Sequence, residues 1–230
     1  LDLHRLAELG KEGVLLLLSD STYAEEPGHT PSEKVVGGAL DTVIGDASGR
    51  VLVATFASLI ARVQQVINAA VKHHRKVAIV GRSMVNNVKM AMEKGYIEAP
   101  ANIVISYREL KKLPPDQQVI VTTGSQGEPT SVLVRIGNRD HREIAVQEGD
   151  PVIISASTIP GNETVVGRTI DNLTRQGARV LNSRTAPVHV HGHGSQEDLK
   201  AMLNLTKPRF FVPIHGEYRM LAAHARLAKE

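Results

Sequence analysis

An α/β fold with a mainly parallel sheet is the architecture these 230 residues predict, on three observations. Short β-branched apolar runs alternate with stretches of helical period, the pattern of strands joined by crossover helices. The runs are nearly all apolar, as strands covered on both faces must be. Turn-forming residues gather after the runs, at the edge where open α/β sheets bind ligands.

Taken in order, the first strand is predicted at residues 14–18, Val14 followed by four leucines. Val35, Val36, Ala39, Leu40 and Val43 then form one helical stripe. A strand at 51–54 leads to a second stripe of Ile60, Val63, Val66, Ile67 and Ala70, and to a strand at 76–80. Ser83 can cap the next helix, which Gly95 ends. Strands follow at 102–105 and 118–122, and Pro129 suits the first turn of a helix ending near Gly137. The last strands are predicted at 151–155, 178–181 and 209–213, with Ser195 capping a helix over 196–203.

Composition narrows the function. A hydrophobic content of 42% is enough for a proper core, whereas 3% aromatics and no Trp leave few platforms for stacking bases. The absence of Cys excludes disulfides and thiolate-held zinc and fits a reducing compartment. The longest apolar run, 14–18, is far short of the ~20 residues that span a bilayer. No signal peptide is visible. A net charge of +3 is compatible with a polyanionic partner.

Four of the ten histidines lie in His189-Val190-His191-Gly192-His193-Gly194-Ser195 and in Pro213-Ile214-His215-Gly216-Glu217. If 189–193 is extended, His189, His191 and His193 share one face and can hold zinc. The glycines offer another reading: Gly192 and Gly194 let amides approach an anion, and Ser195 opens a helix, so the loop is a phosphate cradle. Ser195 with Asp198 also reads as a plain capping pair. Asp20, at the end of an apolar run, suits either a metal-bridging carboxylate or a turn. Thr30-Pro31-Ser32-Glu33 reads as a capping box, and alternatively Glu33 accepts the second N–H of a catalytic histidine. Gly124-Ser125-Gln126-Gly127-Glu128 is a Gly-rich strand-to-helix turn without a P-loop lysine, and Arg82 stands at a strand end where it can meet a phosphate.

Together these segments resemble the ribonuclease J family, nucleases of the metallo-β-lactamase superfamily with an inserted β-CASP domain. The resemblance rests on Ser19-Asp20-Ser21-Thr22, Pro31-Ser32-Glu33-Lys34-Val35-Val36, Ala54-Thr55-Phe56-Ala57-Ser58 and Gly81-Arg82-Ser83-Met84. It continues through Thr123-Gly124-Ser125-Gln126-Gly127-Glu128, Ile159-Pro160-Gly161-Asn162, Gly192-His193-Gly194-Ser195-Gln196 and Pro213-Ile214-His215-Gly216-Glu217-Tyr218-Arg219. It implies a three-layer α/β/α β-CASP domain at 23–195, flanked by metallo-β-lactamase remnants at 1–22 and 196–230. By resemblance Asp20 and His215 are metal ligands, and Glu33 and His193 are catalytic. His193 would contact the scissile phosphate, within a phosphate-binding loop of His191, Gly192, His193, Gly194 and Ser195. The family's loop usually reads Ser-Gly-His, so His191 departs from its pattern.

The implied activity is zinc-dependent 5′-to-3′ exonucleolytic and endonucleolytic cleavage of RNA in maturation and decay. The chain begins at Leu1 rather than Met, and the His-x-His-x-Asp-His motif is expected upstream of it. The fragment is accordingly expected to be inactive and to hold no zinc alone, the full-length enzyme holding two ions. Expected partners are single-stranded RNA, the chain's own metallo-β-lactamase domain and, in the full-length enzyme, a second copy; no membrane is expected, and the location is cytoplasmic. Two other readings stay open: a non-catalytic phosphate- or nucleotide-binding domain, and a related phosphodiesterase acting on DNA.

Overall fold

The computed structural model describes residues 2–230. In chain order it forms α1 (Leu3–Glu12), β1 (Leu16–Asp20), α2 (Lys34–Asp46), β2 (Val51–Ala54), α3 (Ile60–Lys72) and β3 (Lys76–Val80). Then come α4 (Arg82–Glu93), α5 (Tyr107–Leu110), β4 (Gln118–Thr122), α6 (Val132–Gly137), β5 (Pro151–Ile154) and α7 (Glu163–Arg175). The last are β6 (Arg179–Asn182), α8 (Gln196–Thr206), β7 (Phe210–Ile214) and α9 (Tyr218–Leu227). They fall into two compact units, Ser32–Val190 and the segment ending at Pro31 taken with His191–Glu230. The expected boundaries at 22/23 and 195/196 both lie inside the second of these.

In the unit Ser32–Val190, five parallel strands run in the order β3-β4-β2-β5-β6. Alternation of side chains across each strand splits the core in two. Val51, Val53, Val119 and Val121 face α2, α3 and α4. Leu52, Ile120, Val152 and Ile154 pack with Leu133 and Ile136 of α6 and Leu173 of α7. The result is three layers, as expected, with β2 and β4 buried along their whole length. Two arginines are buried with their charges met: Arg50 Nε donates to Asp150 at 2.8 Å, and Arg62 is clasped by Glu33, Gln65, Ser155 and Val188.

In the other unit, β1 and β7 form a parallel pair in register from Leu16↔Phe210 to Asp20↔Ile214. Helices α8 and α9 pack together, burying Ala24, Leu199 and Ala223. The opposite face of the pair is apolar and uncovered: Leu16, Leu18, Phe210, Val212 and Ile214 are all exposed.

Several expectations need correction. Residues 102–105 make only a single bridge, Val77↔Val104, because Asn102 turns the chain with φ 63°. Ser83 lies inside α4, whose cap is Gly81 at φ 110°. Pro129 precedes α6, which Ser131 caps. Thr30 does not cap α2, which begins at Lys34 with Glu33 as its cap residue and no side-chain cap bond. Among the described residues no helix is long and apolar enough to cross a membrane.

Candidate metal centre

Parallel pairing of β1 with β7 puts the carboxyl ends of both strands at one edge. Asp20 ends β1, and His215 follows β7 directly. The loop before α8 brings His193 to the same place. One ligand atom from each of Asp20, His193 and His215 lies within 4.8 Å of the others.

Asp20 is the hub. Its Oδ2 pairs with His193 Nδ1. Its Oδ1 accepts from the Thr22 amide at 2.8 Å and the Thr22 hydroxyl at 2.7 Å, and lies 3.2 Å from His215 Nδ1. Partial burial alone would raise the Asp20 pKa, but the His193 ring and Thr22 outweigh it and hold the carboxyl well below the usual range. With Nδ1 of each ring turned to the carboxylate, each Nε2 is left for a ligand or a proton. His215 takes a left-handed φ of 54°, which a non-glycine residue adopts at a cost. A carboxylate with two imidazoles is a donor set that suits zinc.

The histidine-rich loop is partly what the sequence suggested. Residues 189–193 form no strand, so the alternating histidines do not assemble as a trio; the cluster takes His193 alone of the three. His191 stacks on Tyr23, centroids 3.7 Å apart and 7° from parallel, and its Nδ1 donates to the His193 carbonyl at 2.8 Å. That Nδ1–H is therefore committed to the loop rather than to a phosphate. The start of α8 is not a free cradle either. The Ser195 amide donates to Thr30 Oγ1 and Asp198, the Gln196 amide to Glu26 O and the Glu197 amide to Gly28 O. The capping reading of Ser195 and Asp198 holds in its backbone half. The loop amides at Gly192 and Gly194 make no hydrogen bond among the described residues.

Glu33 belongs to the other unit. Its Oε1 accepts from Arg62 Nε at 3.1 Å and from Nη2, so a buried guanidinium takes the carboxylate that was expected to receive a histidine N–H. Thr22, in Ser19-Asp20-Ser21-Thr22, and Tyr23 and Thr30 join the site without a sequence signal of their own. So does His224, which is fully buried with Nδ1 3.0 Å from Ser21 Oγ and its ring edge-on to Phe211 at 4.8 Å. Burial lowers its pKa. A lone histidine on a helix carries no sequence signal of such a place.

Residues 48–173 match the family described as ribonuclease J, beta-CASP domain, and residues 180–230 match the Zn-dependent metallo-hydrolase RNA specificity domain. Ribonuclease J of Synechocystis sp. is 50% identical over 99% of this chain and 36% of its own length. Ribonuclease J2 of Bacillus subtilis is 45% identical over 100% of this chain and 41% of its own. Ribonuclease J of Thermus thermophilus is 52% identical over 94% of this chain and 38% of its own. The chain thus spans well under half the length of these relatives. The first of the matched families covers more than half of the chain, and on that ground the chain belongs to the ribonuclease J family.

Proposed function

We propose that this chain is the β-CASP portion and one side of the metal centre of a zinc-dependent ribonuclease acting in RNA maturation and decay, by 5′-to-3′ exonucleolytic and endonucleolytic cleavage in the cytoplasm. The observation that carries the reading is the convergence of Asp20, His193 and His215 at one sheet edge. The relatives named ribonuclease J support RNA as substrate.

Asp20 and His215 would hold the ion, which when bound supplies an activated water and offsets the charge that develops on the phosphate. The chain's residues do the rest. Asp20 orients both rings through their Nδ1 atoms, and Thr22 holds Asp20 with two bonds to one oxygen. His193 Nε2 is free to stabilise the scissile phosphate or to protonate the leaving oxygen. The Gly192 amide, without a hydrogen bond among the described residues, is available to a phosphate oxygen. Two donors are too few for two ions, so the isolated chain is inactive; further ligands come from the rest of a longer protein. The uncovered apolar face of β1 and β7 supports a covering segment from that same protein.

His193→Ala in the full-length enzyme tests this. Turnover should fall roughly 10²–10⁴-fold with RNA affinity little changed, as for a lost proton donor. Equal losses in turnover and affinity would reduce His193 to a binding group. Metal-dependent RNA cleavage by the purified chain, with contaminating nuclease excluded, would refute its inactivity, and matched RNA and DNA substrates would decide the polymer.

A further inference from the structure

His224 is a buried histidine that the ribonuclease reading leaves without a task. It sits on α9, against Phe211 of β7 and against Ser21, the residue that follows β1. Both His224 and Ser21 are fully buried. A polar ring in such a place is costly where its nitrogens go unbonded. Nδ1 is bonded, 3.0 Å from Ser21 Oγ, whereas Nε2 is buried and makes no hydrogen bond among the described residues. An apolar side chain of the same size would avoid the cost at Nε2. What the imidazole adds is the bond at Nδ1.

The direction of that bond follows from the unbonded nitrogen. Burial outweighs the pull of Asp20 and lowers the pKa of the ring, so it is neutral and carries one proton. With that proton on Nε2, a buried N–H would go without an acceptor, which is rarer in folded proteins than a bare lone pair. The proton therefore sits on Nδ1, which donates to Ser21 Oγ. The Ser21 hydroxyl is then free to donate onward to the Ser19 carbonyl at 3.4 Å. His224 in this way ties α9 to the end of β1. Ser21 is the pivot of the turn beside it. Its amide donates to the His215 carbonyl at 3.2 Å, and Thr22 Oγ1 donates to the same oxygen at 3.2 Å. His215 depends on such bonds, because a non-glycine residue keeps a left-handed φ only where its surroundings over-determine it. Asp20 precedes Ser21 directly, so one anchor bears on both residues.

We propose that His224 is a positioning residue of the metal centre: through Ser21 it holds the backbone that sets Asp20 and His215 in place. The inference rests on the reading of those two side chains as metal ligands. Groups one step behind the ligands act by fixing ligand orientation, and their loss weakens metal binding although they never touch the ion.

The test has two arms, each with Ser21→Ala and His224→Phe. In this chain without added metal, the His215 ¹³Cα and ¹³Cβ shifts report its left-handed φ. Both variants should move them toward the values of an ordinary φ, with the spectrum of unit Ser32–Val190 unchanged. In the full-length enzyme, zinc affinity read by chelator competition should fall roughly 10–100-fold in either variant. The double variant should fall no further than the singles, since both cut the same link. His224→Asn, whose side-chain amide can take the place of Nδ1, should recover part of the affinity. The KM for RNA at saturating zinc should not change. Ser21→Ala removes a single oxygen, so it decides the matter if His224→Phe does not fold. The proposal is overturned if either variant, folded, keeps the His215 shifts and the zinc affinity of the parent, or if the two losses add. Asp20→Ala separates this from the metal reading: zinc affinity that survives it overturns that reading, whereas affinity lost in Asp20→Ala but kept in Ser21→Ala overturns the role of His224 alone.

Discussion

In the five-stranded sheet, β2 and β4 show no residue to solvent, whereas in the two-stranded sheet Leu16 and Leu18 of β1 and Phe210, Val212 and Ile214 of β7 all do. Both sheets are parallel, and both are built from apolar runs. They differ in cover: the first has helices on two faces, the second on one. A parallel sheet left open on one side is unusual, because crossover helices normally close both. The unit with the complete core carries a crevice at the carboxyl ends of β2, β3 and β4, and the unit with half a core carries the candidate metal centre. Stability and proposed catalysis are thus assigned to different parts of the chain.

Paired truncations give the largest effect. Ile120→Ala, at a fully buried position of β4, should cost about 2–5 kcal/mol in urea unfolding. Leu18→Ala, at a position 56% exposed, should stay within about 0.5 kcal/mol in the same chain. Equal losses would erase the contrast. A larger loss for Leu18→Ala in a longer protein than in this chain would sharpen it, by showing that something covers the face there.

The same contrast explains what the sequence made legible. Strands 51–54, 76–80 and 118–122 are found to the residue, since each is built on an unbroken apolar run, with Lys76, Gln118 and Thr122 as the polar ends. The strand expected at 14–18 lies at Leu16–Asp20, because pairing with β7 carries on through Ser19 and Asp20, where the apolar run stops. That polar end is the functional one, so hydrophobicity alone misses it. Asp20 and His215 were legible as strand-end residues, and His193 as a loop histidine; their meeting was implied by the family resemblance and by no local pattern, since it depends on the pairing of strands some 190 residues apart. The bond from Arg62 to Glu33 leaves no local periodicity to read. Nor can a Gly-Ser loop reveal that the carbonyls of Glu26 and Gly28 return to occupy the first amides of α8.

A smaller effect follows from acid. Partial burial would raise the Asp198 pKa, but the amides of Thr30 and Ser195, with the Thr30 and His29 side chains, bring it down from 3.8 to about 2. A carboxyl whose folded pKa is depressed stabilises the fold above its unfolded value and loses that contribution as pH falls toward the folded one. The Asp198 contribution should therefore be complete above about pH 4 and fade toward pH 2. The Thr30 and Ser195 amide proton shifts should titrate through that window, and in Asp198→Asn they should not. Unchanged shifts in the parent chain would refute the assignment.

The smallest effect on stability, and the most telling about the site, belongs to Gly192. Gly194 is glycine for a reason inside the protein: a Cβ there would sit 3.2 Å from Asp198 Cβ. A Cβ on Gly192 would meet nothing within 4 Å, and its φ is not in the left-handed range, so nothing in this chain requires a glycine. Gly192→Ala should then leave urea stability within about 0.5 kcal/mol, or raise it slightly by restricting the unfolded chain. If the open space beside His193 is where a phosphate approaches, the added methyl should weaken RNA binding by the full-length enzyme several-fold, with folding intact. Unchanged RNA affinity would move the phosphate contact off this amide. Lost stability would mean that the space is filled by protein in the longer chain. The loop glycine with open space beside it is in this way the one whose substitution separates a constraint of folding from a constraint of substrate.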